Sequence, residues 1–255
     1  MIKPCCILIT GASGAIGGAL ARAYAAPGVT LILHGRNQTL LDALALECKQ
    51  QGADVQTYAF DLRDTAQLRQ WAKQISAEMP LDLVIANAGM NIDIGAKGEG
   101  EPWEATEALL DLNIRAVLAM IEAVLPTMRA RRSGQIALVS SLAAYFGLPV
   151  TPSYCASKAA IKAYGEALRG WLEPEGIRVS VIMPGYVESP MCRDMPGPKP
   201  FLVSPERAAM LIQNGLKKNR ARISFPFPLN LGTWFLAVLP AGISSRIVRW
   251  AGYRG

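Results

Sequence analysis

Apolar and polar positions along this chain repeat with two different periods. Short, largely apolar runs occur at Cys5–Thr10, Thr30–His34, Val55–Ala59, Leu83–Ala86, Gln135–Ser140, Arg178–Met183 and Arg222–Phe225. Between them, at Ile16–Ala26, Thr39–Gln51, Thr65–Glu78, Trp103–Arg131 and Tyr154–Glu173, apolar residues recur at helical spacing. Runs without polar alternation suit strands buried on both faces, and the intervening helices supply the crossovers that parallel strands need. The pattern predicts an α/β fold: one doubly wound domain, a central parallel sheet with helices on both faces. The stretch Met1–Ile9 holds too short an apolar run for a secretory leader and leads directly into a glycine loop, so it reads as the first strand. Tyr186–Pro205, rich in Pro and Gly, reads as a mobile loop.

Chemistry enters where the first strand meets the first helix, at Thr10-Gly11-Ala12-Ser13-Gly14-Ala15-Ile16-Gly17. Glycines in that context allow a tight turn, close backbone approach to a pyrophosphate and tight helix–strand packing, while the helix N-terminus attracts phosphate charge. Gly11, Ser13, Gly14, Ile16 and Gly17 are therefore candidate dinucleotide contacts. The second strand ends in His34-Gly35-Arg36-Asn37 with no acidic residue to hold a ribose 2′-hydroxyl, whereas Arg36 can face the extra phosphate of NADP. NADP(H) is the expected cofactor and NAD(H) the alternative. His34, the only histidine, receives no role.

Tyr154 and Lys158 stand four apart on a helical pattern and share a face, with Ser141 just past a strand upstream. A phenol with pKa near 10 is a poor acid–base group at neutral pH, and a neighbouring ammonium is expected to lower it. Ser141 can hydrogen-bond a substrate oxygen on which charge develops. With Asn113 and the segment Asn87-Ala88-Gly89, these residues resemble the short-chain dehydrogenase/reductase family, in particular its compact subgroup, over residues 1–195. The resemblance implies a Rossmann-type fold and a catalytic tetrad of Asn113, Ser141, Tyr154 and Lys158. It also implies cofactor contacts from Gly11, Ser13, Gly17, Arg36, Asp61, Asn87, Ala88, Gly89 and Lys158. In the family the Asp61 position lies beside the adenine, the Asn113 position supports a water-linked proton relay, and the lysine also binds the nicotinamide ribose. Pro184-Gly185-Tyr186-Val187 resembles the segment along the nicotinamide, so Pro184, Gly185 and Val187 join the expected contacts, with Tyr154. One departure is that the compact subgroup has its second glycine where this chain has Ala15. Gly14 gives the spacing of extended members, the epimerases and dehydratases, which supply an alternative function. A non-catalytic nucleotide-binding scaffold is the other.

Residues 1–198 thus form the expected dinucleotide-binding and catalytic core, and 199–255 an extension completing the same domain. The core holds 17 Lys and Arg against 19 acids, a charge of −2, while the extension holds nine Lys and Arg against Glu206 alone, giving +8. Basic character confined to a tail, with no recognised motif, argues against a nucleic-acid partner. From Ile223 to Ser245 no residue is charged, yet prolines and polar residues interrupt the stretch, so it is read as an interfacial membrane segment, a subunit interface or a cap over the cleft rather than a span. Five scattered cysteines without a CxxC pair indicate a reducing cytoplasm, no disulfide framework and no metal site. A cytoplasmic homodimer or homotetramer is expected, with peripheral contact on the inner membrane surface as the tail's further reading. Candidate substrate-facing residues are Met90, Leu142, Phe146, Leu148, Tyr186, Met191, Met195 and Phe201; their apolar character favours a hydrophobic, lipid-like carbonyl or alcohol.

Overall fold

Seven parallel strands in the order β3-β2-β1-β4-β5-β6-β7 carry the molecule. The computed structural model describes residues 4–95 and 97–253, so Met1–Lys3, Arg254 and Gly255, which end the two expected segments, lie outside the described residues. The strands are β1 (Cys6–Thr10), β2 (Thr30–Gly35), β3 (Asp54–Ala59), β4 (Leu83–Ala86), β5 (Gly134–Val139), β6 (Ile177–Pro184) and β7 (Arg222–Phe225). Each falls within a residue or two of its apolar run. Helices α1 (Ala15–Tyr24), α2 (Gln38–Gln50), α3 (Thr65–Glu78), α4 (Trp103–Leu110), α5 (Ala116–Arg131) and α6 (Pro152–Leu172) make the crossovers.

The apolar runs serve both faces because successive side chains of a strand point oppositely. Leu8 and Ile32 join the core beneath α3, α5 and α6, while Ile7, Ile9, Leu31 and Leu33 join the one beneath α1, α2 and Pro205–Lys217. Polar side chains start several helices where first-turn N–H groups need partners. Asn37 accepts from Leu40 N–H at 3.0 Å, and Asp64 accepts from Gln67 N–H at 3.0 Å.

Three features depart from the sequence reading. The predicted helix Trp103–Arg131 is interrupted by a π turn, Asp111–Arg115, which accommodates one additional residue and holds Asn113 in its middle. The stretch expected to be a loop contains α7 (Pro190–Asp194) and a parallel bridge between Val187 and Val203. Beyond it lie α8 (Pro205–Lys217), α9 (Leu229–Val238) and α10 (Ala241–Trp250), helices that the apolar pattern did not isolate.

Helix α6 is pressed against the sheet at Gly165, where an added methyl would come within 2.6 Å of Val181 and 3.0 Å of Leu138. Gly165→Val is therefore expected to push α6 outward and cost about 1–3 kcal/mol of stability, read as a lower urea midpoint. An unchanged midpoint would show that the helix shifts without strain.

Candidate active site

Strands β1 and β4 are neighbours whose crossovers leave in opposite directions, which opens a crevice at their C-terminal ends. Its floor is tied by two side chains. Thr10 Oγ1 accepts from the N–H of Asn87 at 3.0 Å and of Ala88 at 3.1 Å, and Asn87 Nδ2 donates to Thr10 O at 2.9 Å. Gly11 takes φ +65, and a side chain there would sit 2.9 Å from Ala88 Cα; a Cβ on Gly17 would lie 2.3 Å from Gly11 O. Both approaches exclude any larger residue.

The loop closes by Gly14 N–H donating to Gly11 O at 3.0 Å, and Ala15 begins α1. The absent second glycine of the compact pattern thus leaves a normal helix start. Gly14 provides no side-chain cap and the first turn holds no acid, so the α1 N–H groups suit an anion. This cradle fits a dinucleotide pyrophosphate.

One cleft of about 380 Å³ runs from that loop to the far end of β6. It brings together Gly11, Ser13, Gly14, Ile16, Arg36, Asp61, Asn87, Ala88, Gly89, Ser141, Tyr154, Lys158, Pro184, Gly185 and Val187. Of the expected positions, Gly17 and Asn113 lie behind its wall. At the end of the cleft beside β2, Arg36 is exposed next to Asp61. Arg63, which sequence reasoning missed, grips the Asp61 carboxylate through Nε at 2.9 Å and Nη2 at 2.5 Å. Arg63 first, with a smaller contribution from Arg36, holds that carboxyl below its ordinary range. The signal was the Asp61-Leu62-Arg63 spacing directly after β3. His34 lies in the wall, its Nε2 3.1 Å from Phe60 O, and burial pushes its pKa down to about 4, keeping the ring neutral.

At the other end, Ser141, Tyr154 and Lys158 meet. Ser141 follows β5; its Oγ accepts from Ala143 N–H at 3.1 Å, makes a long 3.4 Å contact to Pro184 O and also faces the Tyr154 hydroxyl. Lys158 is buried, its Nζ donating to Val139 O at 3.0 Å and lying 5.6 Å from the Tyr154 ring centroid. Asn113 Oδ1 accepts from Met90 N–H at 2.9 Å, while Nδ2 donates to Met90 O at 2.9 Å and Ser157 Oγ at 3.0 Å. A Cβ on Gly89 would lie 3.1 Å from Asn113 Oδ1 and 3.3 Å from Lys158 Nζ, so the two residues converge there.

The electrostatics differ from expectation at one point. Burial pushes the Tyr154 phenol up to about 12, the Ser141 hydroxyl offsetting only part of the effect, and burial draws Lys158 down to about 8. Proximity of an ammonium predicted a lowered phenol, but Nζ points to a backbone carbonyl and desolvation outweighs it. Tyr154 therefore keeps its phenolic proton at neutral pH.

Of the expected substrate residues, Tyr186, Met191 and Met195 line the cleft. Leu142 packs with Val181 and Met183, Met90 packs on the core, Phe146 and Leu148 lie against Val150 and Tyr253, and Phe201 is exposed. Cys192 also lines the cleft and was missed, because sequence reading weighed cysteines only for disulfides and metals.

Residues 5–198 match the family model described as short chain dehydrogenase. The chain belongs to the short-chain dehydrogenase family. As a member it is an NAD(P)-dependent oxidoreductase. It is 36% identical over 234 residues to an uncharacterized oxidoreductase of Myxococcus xanthus, covering 91% of this chain and 92% of that one. It is 30% identical to the ketoacyl reductase HetN of Nostoc sp., over 96% of this chain and 88% of that one. A short-chain dehydrogenase from Sphingobium yanoikuyae in complex with NADPH superposes with TM-score 0.81 at 24% identity, over 98% and 96% of the two chains.

The short-chain dehydrogenase carries its buried lysine at a cost in stability. Folding lowers the Lys158 pKa from 10.5 to about 8, so the folded form loses the proton first and wild-type stability rises between those pH values. Lys158→Met is expected to melt several degrees higher than wild type at pH 7 without cofactor, with the gap narrowing towards pH 10. Thermal melts at both pH values check this; a variant melting lower at pH 7 contradicts it.

Proposed function

We propose that this enzyme reduces a hydrophobic, lipid-like ketone to a secondary alcohol with NADPH, using Tyr154 as the proton donor. The observation that carries the reading is the meeting of Ser141, Tyr154 and Lys158 in one cleft with the glycine loop and Arg36. When bound, the nicotinamide supplies the hydride.

The chain's own residues do the rest. Ser141 turns its hydroxyl proton to the substrate oxygen and orients it. Tyr154, neutral at working pH, transfers its phenolic proton to that oxygen as charge grows there. The Lys158 ammonium, short of partners in a buried setting, stabilises the phenolate left behind and also serves the nicotinamide ribose. Asn113 uses both amide hydrogens within the protein, bracing the segment after β4 against α6, and retains an Oδ1 lone pair for a relay water. Gly11, Ser13, Gly14, Ile16, Gly17, Asn87, Ala88 and Gly89 shape the cofactor cradle, Asp61 the adenine end, and Pro184, Gly185 and Val187 the nicotinamide end.

NADPH preference is supported by Arg36 and by the absence of an acid at the end of β2, and the NADPH in the Sphingobium relative agrees with it. The substrate reading is supported by a cleft end whose one charged lining residue, among the described residues, is Lys158, and by the ketoacyl reductase among the relatives. Assembly as a homodimer or homotetramer in the cytoplasm, and peripheral contact of the C-terminal extension with the membrane, belong to the same reading. The epimerase alternative rested on Gly14 spacing alone, and the glycine loop closes normally with Ala15 in place.

Tyr154→Phe should abolish turnover on a panel of aliphatic and aromatic ketones while changing NADPH affinity less than about threefold, since it removes one proton and no phosphate contact. Near-normal turnover would remove Tyr154 from its role. Arg36→Asp should weaken NADPH about 10- to 100-fold and spare NADH, the loss of one charge-assisted hydrogen bond. Titration of both cofactors decides, and a wild-type preference for NADH would exclude the phosphate contact.

A further inference from the structure

Helices α9 and α10 are apolar on the faces that pack and apolar again on the faces that do not. Inward, Leu229 approaches Gly185 and joins the cluster of Leu142, and Leu236 packs with Val248 and Tyr253. Ser244 is buried, its Oγ donating to Leu236 O at 2.8 Å, so the two helices hold each other down. Outward, Leu231, Trp234, Phe235 and Val238 follow i, i+3, i+4, i+7 spacing along α9 and are 41% to 57% exposed. Ile243, Ile247 and Trp250 repeat the stripe along α10, with Trp250 87% exposed.

No residue between Ile223 and Ser245 is charged, and the cations that follow, Arg246 and Arg249, are exposed without a carboxylate partner among the described residues. Among the described residues no helix is long and apolar enough to cross a membrane. Ten-residue helices reach about 15 Å, half of a bilayer's hydrocarbon core. The geometry points to a platform: we propose that the outer faces of α9 and α10 dock on an anionic lipid bilayer, aromatic and aliphatic side chains in the interface and arginines on the headgroups. A second copy fits less well. A two-fold interface through this patch would set Arg246 and Arg249 near their own copies, and residues 199–255 offer only Glu206 to offset them.

The platform is joined to the cleft. Tyr253, three residues past α10, donates its hydroxyl to Pro198 O at 2.7 Å and shares a 2.5 Å hydrogen bond with the hydroxyl of Tyr186, which lines the cleft. Met191, in the same wall, is 41% exposed. Docking therefore sets the substrate end of the cleft beside the lipid in which a hydrophobic carbonyl partitions. This deepens the substrate reading above and, for the delivery step alone, rests on it.

The test uses the full chain with vesicles of phosphatidylcholine alone or with phosphatidylglycerol. Wild type should sediment with the anionic vesicles, release as salt rises, and show blue-shifted tryptophan fluorescence. Arg246→Glu/Arg249→Glu and Trp234→Ser/Phe235→Ser should each lose at least about tenfold in vesicle partitioning. Both should keep wild-type turnover of a short water-soluble ketone, which also reports that they fold, and lose turnover of a long-chain ketone held in vesicles. Wild type that stays in the supernatant overturns the platform, as does an oligomer dissolved by the same variants without vesicle binding. Vesicle binding with no ketone reduced in either form supports docking and refutes the substrate reading.

Discussion

Two parallel neighbours whose crossovers leave in opposite directions must part at their C-terminal ends, and the use of this molecule depends on how that parting is held. Here the ends of β1 and β4 are clasped by Thr10 and Asn87, each bonded to the other's backbone. The clasp brings the glycine loop to within van der Waals contact of Ala88 and leaves the start of α1 bare. An anion cradle and the meeting of Ser141 with Tyr154 and Lys158 follow from one geometric constraint, because β5, next in order, delivers Ser141 to the same level.

The pair Tyr154 and Lys158 is a compromise between solvation and the use proposed for it. Burial that raises the Tyr154 phenol also lowers Lys158, so two groups with nearly equal ordinary values are driven apart, the ammonium now losing its proton well before the phenol. A charged lysine is retained in a setting that disfavours it. Its one hydrogen-bond acceptor among the described residues is the Val139 carbonyl, which leaves two of its donors for other oxygens.

Sequence made the sheet legible because a strand buried on both faces can scarcely be written any other way, as Leu31-Ile32-Leu33 illustrates. Tyr154 and Lys158 were legible because four residues on a helix give one face. The π turn was not, since it differs from a regular helix by one residue and leaves no mark on the apolar period. Helix α9 was hidden for the opposite reason: Leu229, Leu231, Trp234 and Leu236 point both inward and outward, so no contrast marks a face. The start of α8 did carry a signal, Ser204 capping Arg207 N–H with Pro205 next, but it stood behind a Pro- and Gly-rich stretch that reads as loop. The raised phenol was beyond reach because it depends on how much water the fold removes.

The turn at Asp111–Arg115 gives the active site an unusual kind of fragility. Most helices tolerate exchanges of surface residues and fail when their core is changed. This one sets a phase. One residue corresponds to about 100° of rotation, so a chain shortened by a single position there could form a flawless helix and still carry Asn113 away from Met90 and Ser157. The arithmetic of the segment, its count rather than its composition, is what keeps the brace aligned.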